Sequence, residues 1–78
     1  MIKIGEGYQY IKENFGYGIN YPSNCNVEHI IDLMGNKALS KKDLYWLEVY
    51  PDARWAYWIG KLYFKSEEDL IEFKLRFL

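Results

Sequence analysis

Residues 55–77 read Trp-Ala-Tyr-Trp-Ile-Gly-Lys-Leu-Tyr-Phe-Lys-Ser-Glu-Glu-Asp-Leu-Ile-Glu-Phe-Lys-Leu-Arg-Phe, and this stretch decides the fold class of the chain. Its first ten residues are rich in aromatic side chains, which favours a strand over 55–64. Ser66 is then placed to cap a helix over 67–77, whose first turn is acidic and whose last turn is basic. A strand that leads directly into a capped amphipathic helix indicates a domain with both α and β structure.

A second strand-forming run, residues 44–50, comes before the first. The segment 51–54 between the two runs begins with Pro51 and fits a type I turn. Two strand-rich runs around a short turn predict a hairpin. Ser40 and Asp43 also fit a capping box that would open a helix over 41–50, and the sequence leaves that alternative open.

The first half of the chain predicts one clear helix and one ambiguous segment. A helix over 27–34 is indicated by its cap, its apolar stripe and its stop: Asn24 or Asn26, then Val27, Ile30, Ile31 and Met34, then Gly35. Near the N-terminus, helical spacing of apolar residues favours a helix over 6–15, whereas the alternation in 2–5 fits a short edge strand.

We therefore predict one α+β domain over residues 1–78. Its small antiparallel sheet is centred on a 44–64 hairpin, with two or three helices packed on one face. The face of the 55–64 strand that carries Trp58, Leu62 and Phe64 is the more apolar one, and we expect it to lie under the helices.

Composition limits the partners and the compartment. Ten basic and eleven acidic residues give a net charge of -1, which does not favour a nucleic-acid backbone as the main partner. The single cysteine, Cys25, permits no intramolecular disulfide, which favours a reducing compartment. No apolar run is long enough to cross a bilayer. We expect a cytoplasmic protein without a membrane partner.

The sequence predicts neither a catalytic centre nor a bound cofactor. Cys25 and His29 are four residues apart, but a structural zinc site needs four ligands and the chain has no other Cys or His. The glycine pairs do not continue into a phosphate-binding loop. The acidic residues 67–69 lie where a helix N-terminus favours acids. A non-enzymatic role without a metal or cofactor follows from these patterns.

The second face of the hairpin is predicted to be a binding surface. Large rings and cations are expected there, at Trp46, Tyr50, Arg54, Trp55, Tyr57, Lys61 and Tyr63. Tyr, Trp and Arg are enriched at the energetic centres of protein interfaces, so a protein partner or a second copy of the chain is expected. The alternative is stacking on single-stranded nucleic acid, helped by Arg54, Lys61 and Lys65.

Residues 55–77 also resemble the C-terminal end of many small uncharacterised proteins of tailed bacteriophages. Those proteins end in an aromatic strand, a Glu/Asp-rich cap and a Phe-Lys-Leu-Arg-Trp or Phe-Lys-Leu-Arg-Phe helix, which here is 73–77. The resemblance implies a phage or prophage source and expression in bacterial cytoplasm, and it carries over no catalytic residue. By analogy with small phage proteins, it implies binding to a host or phage protein, as an inhibitor or modulator of a host factor such as a defence system.

Overall fold

The computed structural model describes residues 1–36 and 38–77, which form six strands and three α-helices. A short 3-10 turn over Ile4–Glu6 precedes the first helix. The elements in chain order are β1 (Ile2–Lys3), α1 (Gly7–Asn14), β2 (Tyr17–Asn20), α2 (Val27–Met34), β3 (Ala38–Lys41), β4 (Trp46–Glu48), β5 (Trp55–Trp58), β6 (Lys61–Phe64) and α3 (Glu67–Phe77).

The six strands form one mixed sheet in the order β1-β4-β3-β5-β6-β2. Neighbours are antiparallel except β3 and β5, which run parallel. The predicted α+β class is confirmed. The predicted antiparallel sheet and 44–64 hairpin are wrong, because β3 lies between β4 and β5 and runs parallel to β5. Ala38 and Leu39 of β3 are both buried, one on each face of the sheet, as is usual for a central strand.

The predicted strand over 55–64 is in fact a hairpin. Ile59 and Gly60 both have positive φ angles, 45° and 76°, and join β5 to β6 as a two-residue turn of the I′ kind. The two turn residues interrupt the alternation of side chains between the two faces of the sheet. Trp55 and Tyr57 therefore lie on the same face as Leu62, the partner of Tyr57 across the hairpin. Leu62 and Phe64 lie under α2 and α3 as predicted, whereas the prediction for Trp58 is wrong, because Trp58 lies on the opposite face.

One face of the sheet is covered by α2 and α3, as predicted for helices 27–34 and 67–77. The core on this side contains Cys25, Ile30, Met34, Ala38, Trp55, Leu62, Phe64 and Phe73. The only polar atom of the Trp55 side chain is hydrogen-bonded, since its Nε1–H donates to the carbonyl oxygen of Gly35 at 2.8 Å. The ring centroids of Phe64 and Phe73 lie 5.3 Å apart, which joins α3 to β6.

The opposite face is covered by α1, so the helices do not all lie on one face. The core on this side contains Ile11, Phe15, Leu39, Leu47, Ala53 and Ala56, with Trp58 and Tyr63 packed against it. Both predictions for the N-terminus hold in succession: β1 pairs with β4 as an edge strand, and a helix follows at once. A chain this short gains a second small core in this way.

Side-chain caps resolve two local ambiguities of the sequence and confirm the predicted cap at Ser66. Asp43 Oδ1 accepts hydrogen bonds from the backbone N–H of Tyr45 (2.8 Å) and of Trp46 (2.9 Å), so it shapes a turn into β4, and 46–48 is strand. Asn26 caps α2 by accepting from the N–H of Glu28 at 3.1 Å. Ser66 caps α3 by accepting from the N–H of Asp69 at 3.1 Å. Among the described helices, none is long and apolar enough to cross a bilayer.

Replacing Gly7 by alanine should destabilise the fold. A Cβ at this position would lie 2.6 Å from the Trp58 ring and 2.7 Å from the Leu47 side chain, so α1 would have to move off the sheet. We expect a loss of about 1–3 kcal/mol in the free energy of unfolding, measured by urea denaturation. Gly5→Ala is the control, because nothing lies within 4 Å of its added Cβ. Equal stability of the two variants would contradict the close approach.

Replacing Ile59 by asparagine should stabilise the protein. Ile59 is 83% exposed, so little packing is lost, while a β-branched residue at φ 45° is strained. Asn is preferred at the first position of a type I′ turn, and we expect a gain of about 1 kcal/mol in thermal or urea unfolding. Ile59→Val keeps the branching and should give no gain. A gain of similar size in both variants would argue against turn strain as the cause.

Candidate protein-binding surface

The seven predicted binding residues lie in three environments: the core (Trp55), the margin of a core (Tyr50 and Tyr63) and the exposed surface (Trp46, Arg54, Tyr57 and Lys61). Trp55 is only 6% exposed and belongs to the core under α2 and α3, so its predicted place on an exposed surface is wrong. Tyr50 and Tyr63 are half-buried against the core under α1. The Tyr63 ring also covers Gly18 of the neighbouring strand, where an added Cβ would lie 2.9 Å from the ring. These three rings serve the fold first.

Arg54 is exposed in part but engaged with α3. Its guanidinium donates to both carboxylate oxygens of Asp69, at 2.6 Å and 3.2 Å, in a bidentate pair. That hydrogen bond, with the negative charge of Asp69, raises the pKa of Arg54 above its ordinary value against a lowering by burial. Lys65 is engaged too: its Nζ donates to the carbonyl oxygen of Pro51 at 2.8 Å and lies 5.3 Å from the centre of the Phe15 ring. Lys61 is exposed beside Trp58 on the α1 side.

Tyr57 is the predicted ring that the fold leaves most available, with 48% of its surface exposed. The ring of Tyr21 meets it edge to face, at 5.6 Å between centroids and 88° between planes. Tyr21, Val27 and Tyr57 line a shallow depression of about 290 Å³. Ile31, one turn after Val27 on α2, is exposed as well. We call these four residues the Tyr57 surface.

The apolar stripe of α2 is wider than the core that it covers, which is why this surface is apolar. Ile30 and Met34 are fully buried, and Leu33 packs beside them. The buried side of the helix is therefore rotated toward Leu33, and Val27 and Ile31 fall at its exposed margin. Val27 and Ile31 were predicted only as members of the apolar stripe of this helix, and the width of that stripe is the sequence signal for an exposed apolar margin.

A cleft in the sheet opens beside the Tyr57 surface. The ladder between β3 and β5 ends at the pair Leu39↔Ala56, and from Ser40 onward β3 pairs with β4 instead. The two halves of the sheet diverge there around a cleft of about 450 Å³, whose lining includes Ile31, Ser40, Lys41, Leu47, Tyr57 and Trp58. The exposed residue Trp46 comes directly before Leu47 on β4. Tyr57 thus borders both the cleft and the depression, and it connects them into one surface.

The environment of Tyr21 disfavours ionisation of its phenol. Burial, and then the nearby Cys25 and Tyr57 groups, raise the pKa of Tyr21 above its ordinary value. A tyrosine phenol is neutral at pH 7 in any case and can donate its O–H in a hydrogen bond. An apolar surface with a few polar tips is the usual composition at the centre of a protein interface.

Cys25 and His29 do not form a joint site. The Cys25 thiol is buried and donates a weak hydrogen bond to the carbonyl oxygen of Asn26 at 3.6 Å, and burial raises its pKa. His29 is exposed and stacks on Phe77 at 5.8 Å between ring centroids. Within residues 1–36 and 38–77, no group of three or more His, Cys, Asp or Glu side chains is arranged to hold a metal ion.

Comparison with protein-family models, with curated proteins and with solved structures gave no match for this chain.

The free energy of unfolding should fall in alkaline solution. The pKa values of Cys25 and Tyr21 are raised in the folded state, so the folded protein holds these protons more tightly than the unfolded chain. The stability that these two protonated groups contribute is fully present below the pKa of the unfolded thiol, about 8.5. It is lost as pH rises through the pKa values of the folded state. Urea denaturation at a series of pH values tests this, and Cys25→Ala should show a smaller alkaline loss. An identical loss in that variant would remove Cys25 from the explanation.

Proposed function

We propose that this chain is a small non-enzymatic binding protein that contacts another protein through the Tyr57 surface. The observation that carries the proposal is the half-exposed Tyr57 ring, which the edge contact with Tyr21 holds in place between the depression and the cleft. A ring that is already fixed before binding loses little conformational freedom in a complex.

The shape of the surface suggests how a partner engages it. The depression and the cleft lie on either side of Tyr57, so a partner can place one apolar side chain in each and close over the ring between them. Desolvated aromatic anchors of this kind contribute most of the binding energy in many interfaces. The interface centre moves from the hairpin face predicted from the sequence to a surface shared by α2 and β5.

The resemblance of residues 55–77 to the ends of small tailed-phage proteins supports a place of action in infected bacterial cytoplasm. On that basis the partner is a host or phage protein, and the effect is inhibition or modulation of a host factor such as a defence system. The warrant for this step is analogy and source resemblance, whereas the Tyr57 surface stands on geometry.

The arrangement of cations weighs against single-stranded nucleic acid as the main ligand. Arg54 is bound to Asp69, and Lys65 is bound to Pro51 and lies over Phe15. Of the three cations that the alternative needs, Lys61 alone is left without such a contact in the described structure, and it stands on the opposite face of the sheet from Tyr57. Phosphate binding depends on several available cations along one track.

Replacing Tyr57 by alanine should weaken partner capture while the fold persists. Tagged wild-type protein and Tyr57→Ala are used to retain proteins from nuclease-treated bacterial lysate, with and without phage infection, and retained proteins are quantified by mass spectrometry. We expect a specific partner whose affinity falls at least about tenfold in the variant.

The control is Leu44→Ala, because Leu44 is an apolar residue that is 75% exposed outside the Tyr57 surface. Thermal unfolding of each variant verifies folding. A partner retained equally by wild type, Tyr57→Ala and Leu44→Ala would contradict the proposed surface. A partner retained from untreated lysate but not from nuclease-treated lysate would point to nucleic acid instead.

A further inference from the structure

The free edge of the sheet at β2 is unusual in carrying no charge. β2 is the last strand in the sheet order and pairs with β6 alone. Its residues, Tyr17–Asn20, lie inside a stretch from 14 to 27 that contains no Asp, Glu, Lys, Arg or His. Edge strands are usually protected by charged side chains, proline or a covering segment, because an open edge pairs with other strands. Charge does not protect this edge.

An exposed apolar stripe on α3 lies beside the same edge. Ile71 and Leu75, one helical turn apart, are 48% and 82% exposed. Ile71 lines a shallow depression with Tyr17 of β2 and with Lys65, Ser66, Glu67 and Glu68, so the Ile71 end of the stripe lies on the β2 side of the helix. The core contacts of α3 are made by other residues, Phe73 above all. The stripe is therefore surplus to the packing of the single chain.

The charges of α3 are arranged for pairing with an antiparallel copy of the same helix. Its first turn carries the exposed Glu67 and Glu68, besides Asp69, which is already paired with Arg54, and its last turn carries the exposed Lys74 and Arg76. A two-fold axis that pairs β2 with a second β2 in antiparallel fashion also makes the two α3 helices antiparallel. The acidic end of each helix then lies toward the basic end of the other.

From these three observations we infer that the β2 edge and the Ile71–Leu75 stripe form a self-association surface, whose occupant is a second copy of this chain. Two six-stranded sheets join through paired β2 strands, and the two α3 stripes pack across the axis. In such a contact each residue near the axis meets its own copy, so a charge would repel itself. An uncharged strand suits this contact. Tyr57 is on β5, two strands in from the edge, and the inference does not depend on its role.

Sedimentation equilibrium over about a hundredfold range of concentration tests the inference. We expect wild type to approach twice the chain mass of 9.4 kDa. The double variant Ile71→Glu, Leu75→Glu should raise the dimer dissociation constant at least about tenfold, since both changes add charge to an apolar contact. The control, Leu44→Glu, adds one carboxylate at an exposed leucine elsewhere and should leave the dissociation constant unchanged.

A charge exchange tests the antiparallel arrangement. Glu67→Lys with Glu68→Lys should weaken the dimer, and the further changes Lys74→Glu and Arg76→Glu should restore it. Ile71→Cys in a Cys25→Ala background should give a disulfide-linked dimer on mild oxidation, faster than Leu44→Cys does. Circular dichroism verifies that each variant is folded.

Three results would overturn the inference: a wild-type monomer at every concentration, a dimer that Leu44→Glu disrupts as much as the double variant does, or a different protein that occupies the β2 edge while the chain alone stays monomeric.

Discussion

The parallel ladder between β3 and β5 is short, with only the pairs Ala38↔Trp55 and Leu39↔Ala56, yet it joins the two halves of the sheet. Each of its residues is buried, and they alternate between the core under α2 and α3 and the core under α1. Both cores therefore meet at this ladder. The cleft next to Tyr57 exists because the ladder ends early and β3 continues along β4.

The small size of the chain explains why large rings occupy both sides of the sheet. Trp55 fills one side, with its indole nitrogen bonded to Gly35, and Trp58 fills the other, against Gly7. Two thin cores built from a few bulky residues can bury apolar area that one core of aliphatic residues would reach only in a longer chain. The high tyrosine content follows in part, since Tyr50 and Tyr63 are half-buried at the margin of a core, a place that suits a ring with a polar tip.

Local patterns in the sequence predicted the helices and their caps, because those depend on neighbours in the chain. The caps at Asn26 and Ser66 and the two helices that they begin were predicted and are confirmed. The break at 59–60 was missed because Ile59 replaces the Asn or Asp that usually marks a type I′ turn. That single position displaced Trp55 and Trp58 to the wrong faces.

Pairing between strands that are distant in the sequence was also not predicted, because local patterns do not contain it. Ala38 and Leu39 are an unremarkable pair in the sequence, and only the strands on both sides make them central. The exposure of Val27 and Ile31 likewise depends on how α2 is rotated against the sheet, which no pattern within the helix specifies. The exposure of Tyr57, by contrast, was predicted from its own strand, as was that of Trp46.

The strained turn at Ile59 has a consequence for the route by which the chain folds. Tight hairpins usually form early, because their contacts are close in sequence. Here the strained backbone at Ile59 disfavours formation of the turn. The strand that pairs with the other side of this hairpin is also distant in the sequence, since β2 pairs with β6 across more than forty residues, as in Asn20↔Lys61. Assembly of this small sheet therefore depends on contacts between distant segments, and its rate is governed by chain topology more than by any local nucleus.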